Sequence, residues 1–229
     1  MEPTRNLSPD VEPEQKSLSA SQFDKRPLWE AVVGMLVVGG LYAALPTRLI
    51  IGPSWLLLVI EIVLLLPIIG SLLTGRGLPL KAIRPLFLFL LGILTLTLVL
   101  SIILLVATLS TDRYAAYLLR AAALLWASNV LVFGLWYWQV DGGGPLKRHL
   151  SGHQATDFMF PQQVDGNRQG WVPHFLDYLF LAFTGATALS PADTYPLTRP
   201  AKALMMIESI ISMTIIVLLV GRAVNIFGG

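Results

Sequence analysis

Residues 85–109 read PLFLFLLGILTLTLVLSIILLVATL, and no charged side chain occurs among them. A helix needs roughly 20 mostly apolar residues to cross the hydrocarbon core of a bilayer, and this stretch is long enough to do so. Only 13% of the whole chain is charged, whereas soluble domains contain roughly 25%. A soluble protein of this size could not bury so much apolar surface. The sequence therefore predicts an all-α integral membrane protein that lipid partly covers.

Three further apolar stretches predict spanning helices at residues 28–45, 49–73 and 114–140. The connections between the four stretches are short, so neighbouring helices should form antiparallel hairpins. The fourth stretch ends near Trp136, Tyr137 and Trp138. Such rings have one polar edge and one apolar face, so this cluster predicts an aromatic belt at the membrane surface.

The chain divides into three parts. Residues 1–27 are polar and carry both signs of charge, which predicts a disordered tail. Residues 28–113 form a membrane region of three helices, and residues 114–229 form a module that begins with the fourth helix. The later segments of this module are a polar loop at 139–173, a short apolar helix at 174–189, a polar turn at 190–200 and a final helix at 201–227. Within the loop, the glycines at 142–144 predict a flexible linker.

The short apolar helix is the most informative part of this module. A short helix followed by irregular polar backbone is tolerated at membrane depth only where it is shielded from lipid. Lining a pore is one such solution, and insertion into a helix bundle is another. The order of the segments alone leaves both open.

Residues 177–198, DYLFLAFTGATALSPADTYPLT, resemble the pore helix and filter of two-helix potassium-type channels. The resemblance continues through the final helix and covers residues 177–224. The positions that agree with the channel pattern without a gap include Asp177, Thr187, Asp193, Pro196 and Lys202.

The resemblance implies an ion channel subunit with about five spanning helices and a re-entrant pore helix. Four copies would assemble, because each pore unit supplies a quarter of the wall, and inorganic ions, above all monovalent cations, would pass. The residues that the resemblance places around the filter are Thr187, Ala188, Leu189, Ser190, Pro191, Ala192 and Asp193. It places Glu208 and Ser212 in the inner cavity.

The filter itself departs from the channel pattern. A potassium filter turns successive carbonyls toward one axis and needs left-handed dihedrals at two glycines. Here Ser190 and Ala192 carry β-carbons, and Pro191 fixes its own φ near −65° and restricts Ser190. The segment is therefore expected to form a wider, poorly selective opening or a non-conducting relic of the architecture.

The whole chain also looks like a family of small bacterial integral membrane proteins of unknown function. The shared features are a glycine-rich loop at 142–144, an aspartate-aromatic run at 177–183, a threonine-rich turn at 184–194 and Asn225 near the end of the last helix. This resemblance implies a multi-pass protein of the bacterial inner membrane, and it brings no activity with it.

Loop charges favour a different arrangement. Lysine and arginine cluster in the tail, in the connection at 74–84 and in the long loop, whereas the other two connections contain Arg48 and Arg113. Basic loops prefer the cytoplasm, so the tail and the long loop should lie there. A pore helix that enters from outside would place both outside. If residues 174–189 instead cross the membrane, the chain spans it six times and is a transporter or scaffold.

Glu61 and Arg120 are two of the charged residues within the predicted membrane helices. A carboxylate at the position of Glu61 costs several kcal/mol unless it is paired, protonated or hydrated. Glu61 is therefore a functional candidate, and in the six-span alternative it is the coupling group. A protonated carboxyl bonded to a neighbouring helix explains it equally well. Arg120 is expected to extend toward the membrane surface or to pair with an acidic residue.

Several functions lack support in the sequence. Cysteine is absent, and no nucleophile-base pattern stands out, so we predict neither an enzyme nor a cofactor. His149 and His153 have a spacing that two metal ligands on a helix could use, with Asp157 nearby. Gly152 argues against a helix there, so we predict no metal site. The net charge of +2 is too small to indicate nucleic acid.

Overall fold

A computed structural model of the protein describes residues 26–74, 80–108, 115–187 and 193–227. The elements in chain order are α1 Arg26–Ala43, α2 Leu56–Thr74, α3 Leu80–Thr108, α4 Ala115–Val140, α5 Pro145–Leu150, β1 Phe158–Met159, α6 Phe175–Ala186, β2 Tyr195–Pro196 and α7 Arg199–Phe227. Short 3-10 helices occur at Thr47–Leu49, Asp141–Gly143 and Pro161–Gln163. All but the last two residues of the predicted tail lie outside the described residues.

Within the described residues, four helices are long and apolar enough to cross a membrane. They contain the segments Leu56–Thr74, Ala82–Thr108, Tyr117–Gly143 and Arg199–Gly221. Large apolar side chains on these helices are exposed, among them Leu66 at 57%, Phe89 at 61% and Met213 at 69%. So much exposed apolar surface is consistent with a membrane environment. The prediction of a mostly helical chain is confirmed, and its apolar helices are consistent with a membrane protein.

Two predicted helix starts are wrong. The helix predicted from residue 49 begins at Leu56, because Gly52 has a φ of +85° and Pro53 follows it. The helix predicted from residue 85 begins at Leu80 and contains Pro85. Membrane helices tolerate an internal proline, because neighbouring helices and side chains can satisfy the freed carbonyl.

The long helices alternate in direction, and α4 lies against α1, α3, α6 and α7. Gly34 of α1 faces Leu135 of α4, and Phe87 of α3 makes an edge-on ring contact with Trp138 of α4. The beginnings of α1 and α3 therefore lie beside the end of α4. We call this end of the bundle, which also carries residues 141–173, the loop end.

The aromatic cluster near the end of α4 is mostly buried, so the predicted aromatic belt is wrong at this position. Tyr137 and Trp138 are 0% and 1% exposed. The Tyr137 hydroxyl donates a hydrogen bond to Glu208, and Trp136 Nε1 donates to Thr95 Oγ1 over 2.8 Å. The polar edges of Trp136 and Tyr137 therefore find partners inside the bundle and do not need the membrane surface.

The polar segment after α4 is ordered, and its glycines form a turn and not a flexible linker. Residues 142–144 have φ between +58° and +98°, a region that glycine enters at little cost. The turn reverses the chain into α5. Farther along, β1 pairs antiparallel with β2, so that Phe158 lies opposite Pro196 and Met159 opposite Tyr195.

Candidate functional site

The candidate site is built around the short helix α6, which packs against α4 and runs in the opposite direction. Near the start of α6, the Tyr178 hydroxyl donates a hydrogen bond to Asp141 Oδ2 over 2.6 Å. A β-carbon at Gly134 of α4 would lie 3.2 Å from the Cα of Leu179. Glycine therefore lets the two helix backbones approach closely, as small residues do in membrane helix pairs. These contacts fix the start of α6 at the loop end.

The other end of α6 lies beside the middle of α7. Ser212 Oγ donates a hydrogen bond to the carbonyl of Ala186 over 2.5 Å, and it accepts one from Trp126 Nε1 over 3.1 Å. The rings of Trp126 and Phe183 are 5.8 Å apart at their centroids. Ser212 lies about 20 Å along α7 from Arg199, at 1.5 Å per residue. Helix α6 thus descends from the loop end to the interior of the bundle and stops there.

The chain is back at the loop end before α7 begins. The pairing of β2 with β1 anchors it there, and Asp157 adds three hydrogen bonds. The carbonyl of Asp157 accepts from the Leu197 amide over 2.8 Å, and its Oδ1 accepts from the Thr198 hydroxyl over 2.6 Å. Its Oδ2 accepts from the Gly142 amide over 2.9 Å. Both ends of the segment between β1 and α7 therefore lie at the same end of the bundle.

After α6 ends in the interior of the bundle, the chain returns to the loop end at β2, and we call this connection the return path. Two of the predicted filter residues lie at its two ends. Thr187 follows α6 in the interior, and its hydroxyl donates to the Phe183 carbonyl over 2.8 Å. Asp193 is exposed and lies two residues before β2. The other predicted filter residues, which lie outside the described residues, are Ala188, Leu189, Ser190, Pro191 and Ala192.

Glu208 and Ser212, predicted to line an inner cavity, are buried between α4, α6 and α7. They are 0% and 1% exposed. The Tyr137 hydroxyl donates to Glu208 Oε2, and a β-carbon at Gly185 would lie 2.9 Å from the same oxygen. Residues that line a cavity between copies should be exposed in the single chain. The cavity role stays a prediction, and this packing does not support it.

The two charged residues predicted inside the membrane have different surroundings. Glu61 is 0% exposed, and neither of its carboxyl oxygens has a hydrogen-bond partner among the described residues. It packs on Gly39 of α1, where a β-carbon would overlap the carboxyl group. Arg120 is exposed near the start of α4, at the opposite end from the loop end. From there its long side chain can extend toward the membrane surface.

A buried polar cluster at the loop end was missed from the sequence. We call Asp141, Arg148 and Tyr178 the loop-end node. The carboxyl group of Asp141 accepts from the amides of Asp157 and Phe158 over 3.0 and 3.2 Å, as well as from Tyr178. Arg148 donates to the Asp141 carbonyl over 2.7 Å, and its guanidinium lies 5.1 Å from the centre of the Tyr178 ring. The node joins α4, α5, β1 and α6.

The two neighbouring histidines and Asp157, whose spacing could suit metal ligands, are not brought together as one group of three. The ring centroids of His149 and His153 are 5.7 Å apart, and Asp157 is engaged elsewhere. Burial lowers the pKa of His153, and the nearby His149 and Arg148 lower it further. This lowered pKa favours the neutral form of His153. Among the described residues, no three histidine, cysteine, aspartate or glutamate side chains are grouped to hold a metal ion.

Comparison with known proteins identified no similar protein. No protein-family model, curated protein or solved structure matches the chain. Its function is therefore inferred from its own residues and their arrangement.

Proposed function

We propose that this chain is a subunit of an oligomeric, channel-like membrane protein. In this proposal α4 is the outer helix, α6 the pore helix and α7 the inner helix of the pore unit. The observation that carries the proposal is that α6 stops beside Ser212, in the middle of α7, and that the chain is back at the loop end at β2. In a pore loop, a short helix enters the membrane from one face and the following chain returns to that same face.

The same contacts support five spanning helices over six. The four long helices α2, α3, α4 and α7 would cross the membrane together with the shorter α1, which has 18 residues, and α6 would be re-entrant. Helix α6 has 12 residues, or about 18 Å of helix, whereas a hydrocarbon core is about 30 Å thick. A spanning α6 would also separate β1 from β2, and these two strands are paired.

Assembly of several copies follows from the shape of one pore unit. A single half-length helix cannot enclose a pathway, and in the channel resemblance four copies do so. Large apolar side chains on α6 and α7 are available for contacts between copies or with lipid, among them Leu176, Phe180, Ile210 and Met213. Chemical cross-linking in mild detergent should trap a tetramer. Trapping only monomers and dimers would contradict the proposal.

Conduction by this protein should favour cations without strong selectivity among them. The predicted filter segment carries β-carbons and Pro191 where a potassium filter has glycine, so it should not form a series of dehydrated potassium sites. Purified protein in liposomes should pass potassium and sodium at similar rates and chloride more slowly. Steep selectivity for potassium over sodium would contradict the backbone argument.

Asp193 provides a direct test of the pathway. Its exposed carboxylate lies at the loop end of the return path, where a negative charge concentrates cations. Asp193→Asn should lower cation flux about 2–5-fold at low ionic strength and less at high ionic strength, because salt screens the charge. Asp165→Asn is the matched control, since Asp165 is an exposed acid in the loop and lies outside the predicted pathway. Equal flux in both variants would exclude Asp193 from the pathway.

A second candidate function is a six-span transporter or scaffold in which Glu61 is the coupling group. The buried carboxyl group of Glu61, without a partner among the described residues, favours this candidate. In that case cross-linking should trap smaller species, and Asp193→Asn should leave ion flux unchanged.

A further inference from the structure

A cavity of about 180 Å³ lies at the loop end. Helix α6 of the proposed pore unit does not line it. The first turn of α1, the first turns of α3 and the turn into α5 enclose it. Its apolar wall includes Leu28, Ile83 and Phe87. Its polar wall is formed by Arg84, Gln139 and Lys147, and none of its described lining residues is acidic.

The two basic side chains converge on the glycine turn. A β-carbon at Gly144 would lie 3.4 Å from Arg84 Nε, and one at Gly143 would lie 3.5 Å from Lys147 Nζ. Gly143 and Gly144 are adjacent in the chain, so both cationic groups flank the same short stretch of backbone. The carboxyl group of Asp141, the nearest acid in sequence, is turned away and bonded within the loop-end node.

Two residues that line the cavity each carry a buried polar atom without a partner among the described residues. Arg84 Nε is a donor without an acceptor, and Gln139 Oε1 is an acceptor without a donor. Gln139 is only 2% exposed, so water reaches this group poorly. Buried polar groups in proteins are nearly always hydrogen-bonded, so these two atoms indicate a ligand that accepts at one point and donates at another.

We propose that this cavity binds the phosphate group of an anionic phospholipid. The phosphate accepts hydrogen bonds from Arg84 and Lys147, and a headgroup hydroxyl donates to Gln139 Oε1. Arginine suits this role because its fork of N–H donors matches phosphate oxygens. The apolar wall beside the membrane helices takes the first part of an acyl chain. Basic pockets between membrane helices are known to bind lipid headgroups in this way. The inference does not depend on the proposed pore.

The test begins with the full chain in mild detergent, to which phosphatidylglycerol, phosphatidylcholine or inorganic phosphate is added. Native mass spectrometry counts bound lipid, and thermal unfolding measures stabilisation, which rises with ligand that binds only the folded state. Phosphatidylglycerol should bind about 10-fold or more tightly than phosphatidylcholine, on the order of 1 kcal/mol for each basic residue. Equal binding of the two lipids would overturn the proposal. If inorganic phosphate stabilises the protein as strongly as phosphatidylglycerol, the ligand is a free anion and the lipid assignment is wrong.

Paired variants then locate the site. The double variant Arg84→Gln, Lys147→Gln should lose about 30-fold in affinity for phosphatidylglycerol, at about 1 kcal/mol for each residue. The control Arg168→Gln, Lys202→Gln removes the same charge from exposed positions outside the cavity and should stay within about 2-fold of the unsubstituted protein. Gln139→Leu should remove any preference for phosphatidylglycerol over phosphatidic acid, which has no headgroup hydroxyl. Equal losses in the two double variants would show general attraction to a basic face and overturn the site.

Discussion

Replacing Asp141 by alanine should lower the unfolding temperature of the protein in detergent by about 6–12 °C, at 2–4 °C for each kcal/mol in a chain of this size. The substitution leaves the amides of Asp157 and Phe158 and the hydroxyl of Tyr178 without their acceptor. Each buried group that loses its partner costs about 1–3 kcal/mol, and the lower limit for the three groups, about 3 kcal/mol, corresponds to this shift. Because Asp141 is 2% exposed, water cannot replace the carboxyl oxygens without opening the loop end.

Asp165→Ala is the matched control for this prediction. Asp165 lies in the same loop and is exposed, so its loss should shift the unfolding temperature by less than about 2 °C. Tyr178→Phe removes one of the three hydrogen bonds and should fall between the two. If Asp141→Ala unfolds at the temperature of the control, the loop-end node does not hold α6 to the end of α4.

The second large effect is expected from Gly134→Val. At Gly134 the nearest atom to a new β-carbon belongs to the backbone of α6, the Cα of Leu179 at 3.2 Å. A backbone cannot move aside as the end of a flexible side chain can, so α6 must shift away from α4. Overpacking of this kind costs about 1–3 kcal/mol or more, which lowers the unfolding temperature by about 2–12 °C.

Gly92→Val is the control for Gly134→Val. It makes the same chemical change in the long apolar helix α3, but a β-carbon at Gly92 would meet no atom within 4 Å. It should therefore unfold within about 2 °C of the unsubstituted protein. Equal stability of the two variants would mean that α6 does not press on α4 at this point.

The long helices could be predicted from the sequence because apolar length alone defines them. The helix predicted at 114–140 is observed at Ala115–Val140, and the one predicted at 201–227 at Arg199–Phe227. Errors arose where local backbone chemistry overrode composition. Gly52 and Pro53 delay the start of α2, and a tolerated internal proline lets α3 start before Pro85.

The candidate site was less accessible to sequence reasoning. Its contacts join residues far apart in the chain, and no periodicity marks them. Tyr178 lies 37 residues from Asp141, and Ser212 lies 26 residues from Ala186. The channel resemblance did draw attention to α6 and to the polar residues of α7. It did not indicate that Glu208 and Ser212 would form hydrogen bonds with other residues of the same chain. A motif does not show which way a side chain points.

The loop-end node illustrates the same limit. The glycines at 142–144, which follow Asp141, predict a flexible linker, since composition alone favours a loop there. The glycines instead permit a tight turn that brings Arg148 back against Asp141. The buried Asp141 and Arg148 therefore form an ordered structure beside glycines with positive φ. Their contact depends on the folded turn, which composition does not show.

The location of the two chain ends tests the re-entrant helix most directly. Reporters that work on only one side of the membrane can be fused separately to the amino and carboxyl termini. Five spanning helices and a re-entrant α6 place the termini on opposite faces, whichever way the protein is oriented. Termini on the same face would require an even number of spans, and the five-span arrangement would then be wrong.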